Sequence, residues 1–168
     1  MNLAILGATG RTGRLIVEAA QKRGHIVTAL TRGTPPPDHE TLKWVRGEIS
    51  SRRALLETIE RQHAVISAIG PTRTDKTTCS ATTARLIDLG VNRLVIISGA
   101  AVDAPGDSKD FRGRVVSGVV RLLSPAVFAD KQLEISLLLT SDIDWTAVRP
   151  PRLTDSNSGR PVLVRLDR

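Results

Sequence analysis

Near the start of the chain, glycines recur at three-residue intervals in Gly7-Ala8-Thr9-Gly10-Arg11-Thr12-Gly13. Placed between a strand and a helix, that spacing brings backbone amides up against phosphate. In this reading Gly7 turns the chain sharply off the strand, and Gly10 leaves room for the amides to approach a pyrophosphate. Gly13 lets the helix lie close on the strand. The first helical turn then offers unpaired N–H groups and a partial positive charge to the anion. Thr9 and Thr12 can add hydroxyl donors. A glycine-rich turn without a ligand is the plainer alternative, and the position at a first strand-to-helix turn argues against it.

The end of the second apolar run decides which dinucleotide such a loop would serve. A site for NAD usually places a carboxylate there to bind the ribose 2′-hydroxyl. This chain reads Leu30-Thr31-Arg32, with no carboxylate. The Arg32 guanidinium can pair with a 2′-phosphate through charge-assisted hydrogen bonds, and Arg11 in the neighbouring loop can join it. Arg32 can also be a solvated loop residue. The pattern favours NADP(H) over NAD(H).

The other reactive residues form no constellation. Cys79 is the single cysteine; it reads as a small buried residue near a helix start, and with no internal disulfide a reducing compartment fits. His25, His39 and His63 make neither a triad nor a metal set and read as structural. Trp44 and Trp145 read as core or partly core residues. Tyrosine is absent altogether, which removes a common proton donor.

The elements that must position these residues alternate between short apolar runs and longer amphipathic stretches. Strands are expected at Asn2–Leu6, Ile26–Leu30, Leu42–Val45, Ala64–Ile69, Leu94–Ile97 and Trp145–Val148. Helices are expected at Arg11–Arg23 with Gly24 ending it, Arg52–Arg61 with Ser50 or Ser51 as N-cap, Thr77–Leu89, Arg114–Leu123 and Ala126–Thr140. A last strand is expected at Pro161–Leu166, and a long polar loop over Ala101–Arg112. The alternation implies an α/β class: one doubly wound Rossmann-type domain with a parallel sheet and helices on both faces. The whole chain, residues 1–168, is read as that single domain. It ends sooner than expected after its last strand, so a C-terminal piece is expected to be missing or reduced.

Composition removes several function classes. A length of 168 residues suits one domain with a true core. The formal charge of +7 comes from arginines spread among acidic residues, with few aromatics. Nucleic-acid binding would want a basic stripe with stacking rings, so none is expected. No apolar run approaches the ~20 residues that cross a membrane, and no signal peptide is expected before the first strand. A cytoplasmic location is expected.

Taken together, Gly7–Gly13, Leu30-Thr31-Arg32, Val45-Arg46-Gly47-Glu48-Ile49, Val65–Gly70, Val95–Ala100 and Ser141–Pro151 (SDIDWTAVRPP) resemble the atypical short-chain dehydrogenase/reductase group. The nearest patterns are the NAD(P)H-binding biliverdin reductase B-like and NmrA-like families. The matching pieces keep family order over most of the chain, and the first and last are distinctive together. The resemblance implies that Glu48 and Ile49 lie beside the adenine and that Ala68, Ile69 and Gly70 line the cofactor ribose. It places Ser98 near the nicotinamide, with Pro150 and Pro151 closing over that ring. The family has Asp more often than Glu at position 48. In standard members a Tyr four residues before a Lys supplies the substrate proton. Lys131 takes the Lys position here, and the Tyr position is Val127, so that mechanism is excluded.

What chemistry remains is hydride transfer by the cofactor, with the protein positioning the reactants. Flavins, quinones or linear tetrapyrroles can take their proton from water, and one hydroxyl then suffices to orient the acceptor. Ser98 is the candidate for that orienting role, and Lys131 either bonds the nicotinamide ribose or faces solvent. Phe111 and Val115 would tune specificity from the covering segment. The leading expectation is an NADPH-dependent reductase of a flat conjugated acceptor. The alternative is a non-catalytic NADP(H)-sensing regulator with a protein partner, as monomer or dimer.

Overall fold

The protein was described as a computed structural model covering residues 1–72, 74–99, 102 and 121–150. Among the described residues, six strands form one sheet in the order β3-β2-β1-β4-β5-β6, and every neighbouring pair is parallel. They are β1 (Asn2–Leu6), β2 (Ile26–Thr31), β3 (Leu42–Arg46), β4 (Ala64–Ser67), β5 (Arg93–Ile97) and β6 (Asp144–Val148). Among the described residues, the helices given with both ends are α1 (Arg11–Lys22), α2 (Arg52–Ile59), α3 (Thr78–Asp88) and α4 (Pro125–Leu139).

Side-chain alternation along the strands divides the core into two layers. Leu3, Ile5, Val27 and Ala29 face α1, where Val17 and Ala20 meet them. Ala4, Leu6, Leu30, Val65, Leu94 and Ile96 face α2, α3 and α4, and pack on Leu55, Leu86, Ile135 and Leu138. Both faces of the central strands are buried, so they read as continuous apolar runs. Trp44 belongs to the first layer and Trp145 to the second, as expected from the sequence.

Most expected elements fall within a residue or two of their places, and two ends differ for physical reasons. The helix expected to run to Arg61 stops at Ile59, and Arg61 takes a left-handed φ of 59°. Ser51, not Ser50, is its N-cap, accepting from the Ala54 amide at 3.3 Å. β4 ends at Ser67 rather than Ile69, because the chain leaves the sheet beside the glycine loop. The expected Ala101–Arg112 loop (Val102 apart), the helix at Arg114–Leu123 up to residue 120, and the Pro161–Leu166 strand lie outside the described residues, and residues 121–123 are helical.

Candidate functional site

Because all six strands are parallel, their carboxyl ends share one edge of the sheet. The order reverses at β1, whose neighbours β2 and β4 lead their chains away in opposite directions. A crevice outside the strand ends at such a point is where open α/β sheets bind ligands. The loop after β1 sits there, and its glycines are dictated by contact. Gly7 has φ +77°, and a Cβ on it would stand 2.9 Å from the Ala68 carbonyl carbon and oxygen. A Cβ on Gly13 would stand 2.0 Å from the Gly7 oxygen, so only glycine lets α1 close on the strand exit.

Gly10 is different. A Cβ there would meet only the Gly7 oxygen, at 3.2 Å, and would otherwise project into the open cradle. Its amide donates to the Gly7 carbonyl at 3.0 Å, and it heads α1 with no side-chain cap on the helix end. An uncapped first turn facing a cradle that a methyl group would fill is a fitting seat for a pyrophosphate. Thr9 is exposed at the loop, and Thr12 is half-buried in the first turn.

Around this loop the strand ends deliver the other residues named from sequence. Arg32 follows β2 directly and is exposed. Arg11, also exposed, borders a shallow depression with Arg14, Leu15 and Glu18. Glu48 and Ile49 follow β3, with Ile49 packed on the core and Glu48 exposed. Gly47, between β3 and Glu48, is held by packing. A Cβ on it would stand 2.3 Å from the Ala54 Cβ, and its amide bonds the Thr31 carbonyl at 2.9 Å, which brings the exits of β2 and β3 together.

On the other side of the reversal, Ala68, Ile69 and Gly70 follow β4, with the Ala68 amide on the Leu6 carbonyl at 2.9 Å. Ser98 follows β5, and its amide donates to the Val148 carbonyl of β6 at 2.9 Å. The Ser98 hydroxyl is buried and has no hydrogen-bond partner among the described residues. Pro150 lies just past β6. Arg149 beside it donates to the Val102 carbonyl, tying that exit to the segment after β5. Pro151, Phe111 and Val115 lie outside the described residues.

Of the two places expected for Lys131, the structure excludes the solvent-facing one. Its side chain is 12% exposed, so it does not face solvent. The ammonium donates to the Ile97 carbonyl at 3.0 Å and to Glu134 Oε2 at 2.8 Å. Glu134 is 1% exposed and accepts at Oε1 from the Thr83 hydroxyl at 3.1 Å. One turn earlier, buried Asp130 accepts from the amides of Cys79 and Ser80 at 3.1 and 3.0 Å and from the Ser80 hydroxyl at 2.5 Å. It caps α3 from a neighbouring helix, a task Thr77 at the helix's own N-cap does not perform.

The electrostatics follow from that burial. Burial alone would pull the Lys131 ammonium down, but the Glu134 carboxylate, with Cys79 beside it, holds it above its usual value. Burial lifts the Glu134 carboxyl more than the ammonium lowers it. Burial pushes the Cys79 thiol up to about 12, against the pull of Lys131. The sequence missed Asp130 and Glu134. The available signal was charge at positions 130, 131 and 134 within the apolar run of α4, opposite the hydroxyl-rich face of α3.

The histidines hold backbone together. His63 Nδ1 accepts from the Asn2 amide at 2.9 Å, His25 Nδ1 lies 3.3 Å from the N-terminal amine, and His39 pairs with Leu42. Among the described residues, no group of three or more His, Cys, Asp or Glu side chains could hold a metal ion. No helix among them is long and apolar enough to cross a membrane.

Comparison with known proteins agrees with this geometry. A family described as NAD(P)H-binding matches residues 7–168. YwnB of Bacillus subtilis (strain 168), itself uncharacterized, is 25% identical over 159 residues, covering 92% of this chain and 74% of its own. The oxidoreductase ylbE of Lactococcus lactis superposes with a TM-score of 0.73 at 16% identity, over 94% of this chain and 72% of that one. SP1627 of Streptococcus pneumoniae TIGR4, proposed to be an NADH-flavin reductase, superposes with a TM-score of 0.64 at 26% identity, over 89% and 71%.

Proposed function

Since this chain belongs to the NAD(P)H-binding family, we propose that it is an NADPH-dependent reductase of a flat conjugated acceptor such as a flavin, quinone or tetrapyrrole. The observation that carries the proposal is the buried Ser98 hydroxyl, which has no hydrogen-bond partner among the described residues and lies at the end of β5, on the same edge of the sheet as the cradle. A buried polar group left unsatisfied costs about 1–3 kcal/mol, which a bound group accepting its hydrogen bond would remove.

The residues divide the work along the strand ends. The amides of the α1 first turn and the hydroxyls of Thr9 and Thr12 hold the pyrophosphate. Arg32 and Arg11 take the 2′-phosphate, Glu48 and Ile49 flank the adenine, and Ala68, Ile69 and Gly70 line the ribose. When bound, the cofactor supplies a hydride. Ser98 orients the ring or the acceptor by hydrogen bonding; a lone serine is too weak an acid to give up its proton. Pro150, just past β6, closes over the same ring. With Val127 one turn before Lys131 and no tyrosine in the chain, the acceptor's proton comes from water, which suits acceptors able to hold a charge while it arrives. The 26% identity with SP1627 makes flavin the first acceptor to try.

Stopped-flow loss of NADPH absorbance with FMN, biliverdin and quinones tests this, and turnover with at least one of them is expected. Tight NADPH binding with no turnover on any acceptor would refute the reductase and leave the redox-sensing regulator, which Val127 already favours. A regulator would also distinguish NADP from NADPH in affinity and hold a protein partner only when loaded.

A further inference from the structure

α4 carries its charges in the wrong place for a surface helix. Asp130 and Glu134 lie on the buried stripe with Ile135 and Leu138, and Lys131 is turned inward beside them. Burying an ion pair takes both charges out of water. Their attraction seldom exceeds what well-packed apolar side chains of the same size would supply. Stability alone therefore does not explain the Lys131–Glu134 pair. Its geometry does.

An ammonium has three protons to donate. In Lys131 the Ile97 carbonyl takes one at 3.0 Å and Glu134 Oε2 takes another at 2.8 Å, and the side chain is only 12% exposed. Ile97 is the last residue of β5, and the next residue is Ser98, whose amide is bonded to Val148. The β5 exit is thus pinned on one side by β6 and on the other by Lys131, while Thr83 holds Glu134 from α3.

We propose that Lys131 and Glu134 are positioning residues, which fix the exit of β5 through the Ile97 carbonyl and so aim the Ser98 hydroxyl at the nicotinamide end of the site. Lys131 then touches neither substrate nor cofactor. Glu134 sets where the ammonium stands, and the Ile97 carbonyl passes that position to Ser98. The inference rests on the NADPH reading of the site, and its test keeps the two apart.

The test compares binding of NADPH with binding of 2′-phospho-ADP-ribose, which keeps the adenine end and the pyrophosphate but lacks nicotinamide. The informative variant is Lys131→Met/Glu134→Leu, which replaces the pair with apolar side chains of similar size and should fold with a melting temperature close to wild type. In it, NADPH should bind about tenfold more weakly, the worth of one well-aimed hydrogen bond, and 2′-phospho-ADP-ribose should bind as before. The emission of bound NADPH should move toward that of the free molecule, because the ring is no longer held. Lys131→Arg should rescue part of the affinity ratio. A folded double variant with the wild-type ratio and emission would overturn the proposal. So would a double variant that cannot fold, since the pair would then serve stability. If the wild-type chain binds neither ligand, the cofactor reading itself falls.

Discussion

Replacing Gly10 with alanine should separate the cradle's function from its stability, because the contacts at its two inner glycines differ so sharply. At Gly10 an added Cβ would come 3.2 Å from the Gly7 oxygen, a few tenths of an ångström tight, on an extended backbone with φ −73° and ψ 166°. Alanine is a poorer N-cap than glycine by a few tenths to about 1 kcal/mol, and the stiffer unfolded chain returns about 0.4–1 kcal/mol. The net change in stability should therefore lie within about 1 kcal/mol, or about 2–4 °C in a domain of this size. The methyl group, however, would occupy the cradle and hold a phosphate away from the α1 amides. Weakening one or two charge-assisted hydrogen bonds costs about 2–3 kcal/mol, roughly 30- to 150-fold in Kd.

Gly13→Ala is the counterpart. Its Cβ would overlap the Gly7 oxygen at 2.0 Å, the Gly7 carbon at 2.7 Å and the Ala8 Cα at 2.9 Å, all of them backbone. Forced overpacking of that degree costs about 3 kcal/mol or more, so this variant should lose both binding and roughly 6–12 °C of melting temperature. Thermal unfolding and titration of NADPH by its fluorescence give both numbers on the same samples. Wild-type NADPH affinity in Gly10→Ala would refute the argument that the cradle seats a phosphate.

Three further outcomes follow from individual side chains. Ser98→Ala removes a buried hydroxyl that bonds to nothing described, so melting temperature should hold or rise while NADPH loses affinity relative to 2′-phospho-ADP-ribose; a clear drop in stability would mean that the hydroxyl has a partner within the fold. Lys131→Met leaves Glu134 buried without its cation and should cost about 3–5 kcal/mol in denaturant unfolding, most of it recovered in Lys131→Met/Glu134→Leu; equal cost in both variants would contradict this. The Cys79 thiol should resist alkylation in the folded chain at neutral pH and react only on unfolding, which mass spectrometry reads directly. Because its folded value lies above the ordinary 9.0, its contribution to stability is full below that pH and is lost as pH climbs toward about 12.

Much of the fold was legible in the sequence because the central strands are apolar on both faces and the breaks between elements are marked by Gly and Pro. The glycine loop was legible for a stronger reason. Its spacing is fixed by contacts between backbone atoms, which no side chain can alter. Lys131 was harder to place, since a lysine on a helix shows its partner on a facing strand only when that strand is known. Its partner Glu134 lies three residues on along the same helix, a spacing the sequence does show, but the Ile97 carbonyl comes from β5, and Asp130 caps a helix fifty residues away in the chain. Spacing along one helix says nothing of those contacts between elements. Gly47 was passed over because its constraint, the Ala54 Cβ, belongs to a helix that packs on it from outside the motif.

The central claim, a site built for NADP(H), is tested most directly by calorimetric titration of NADPH and NADH into wild type and Arg32→Ala. Arg32 stands exposed at the end of β2, where a 2′-phosphate would meet it. NADPH should bind wild type more tightly than NADH, and Arg32→Ala should lose about 1.5–3 kcal/mol for NADPH, the worth of a charged hydrogen bond, with little change for NADH. Equal affinity of wild type for the two, or an Arg32→Ala variant that binds NADPH as wild type does, would contradict it.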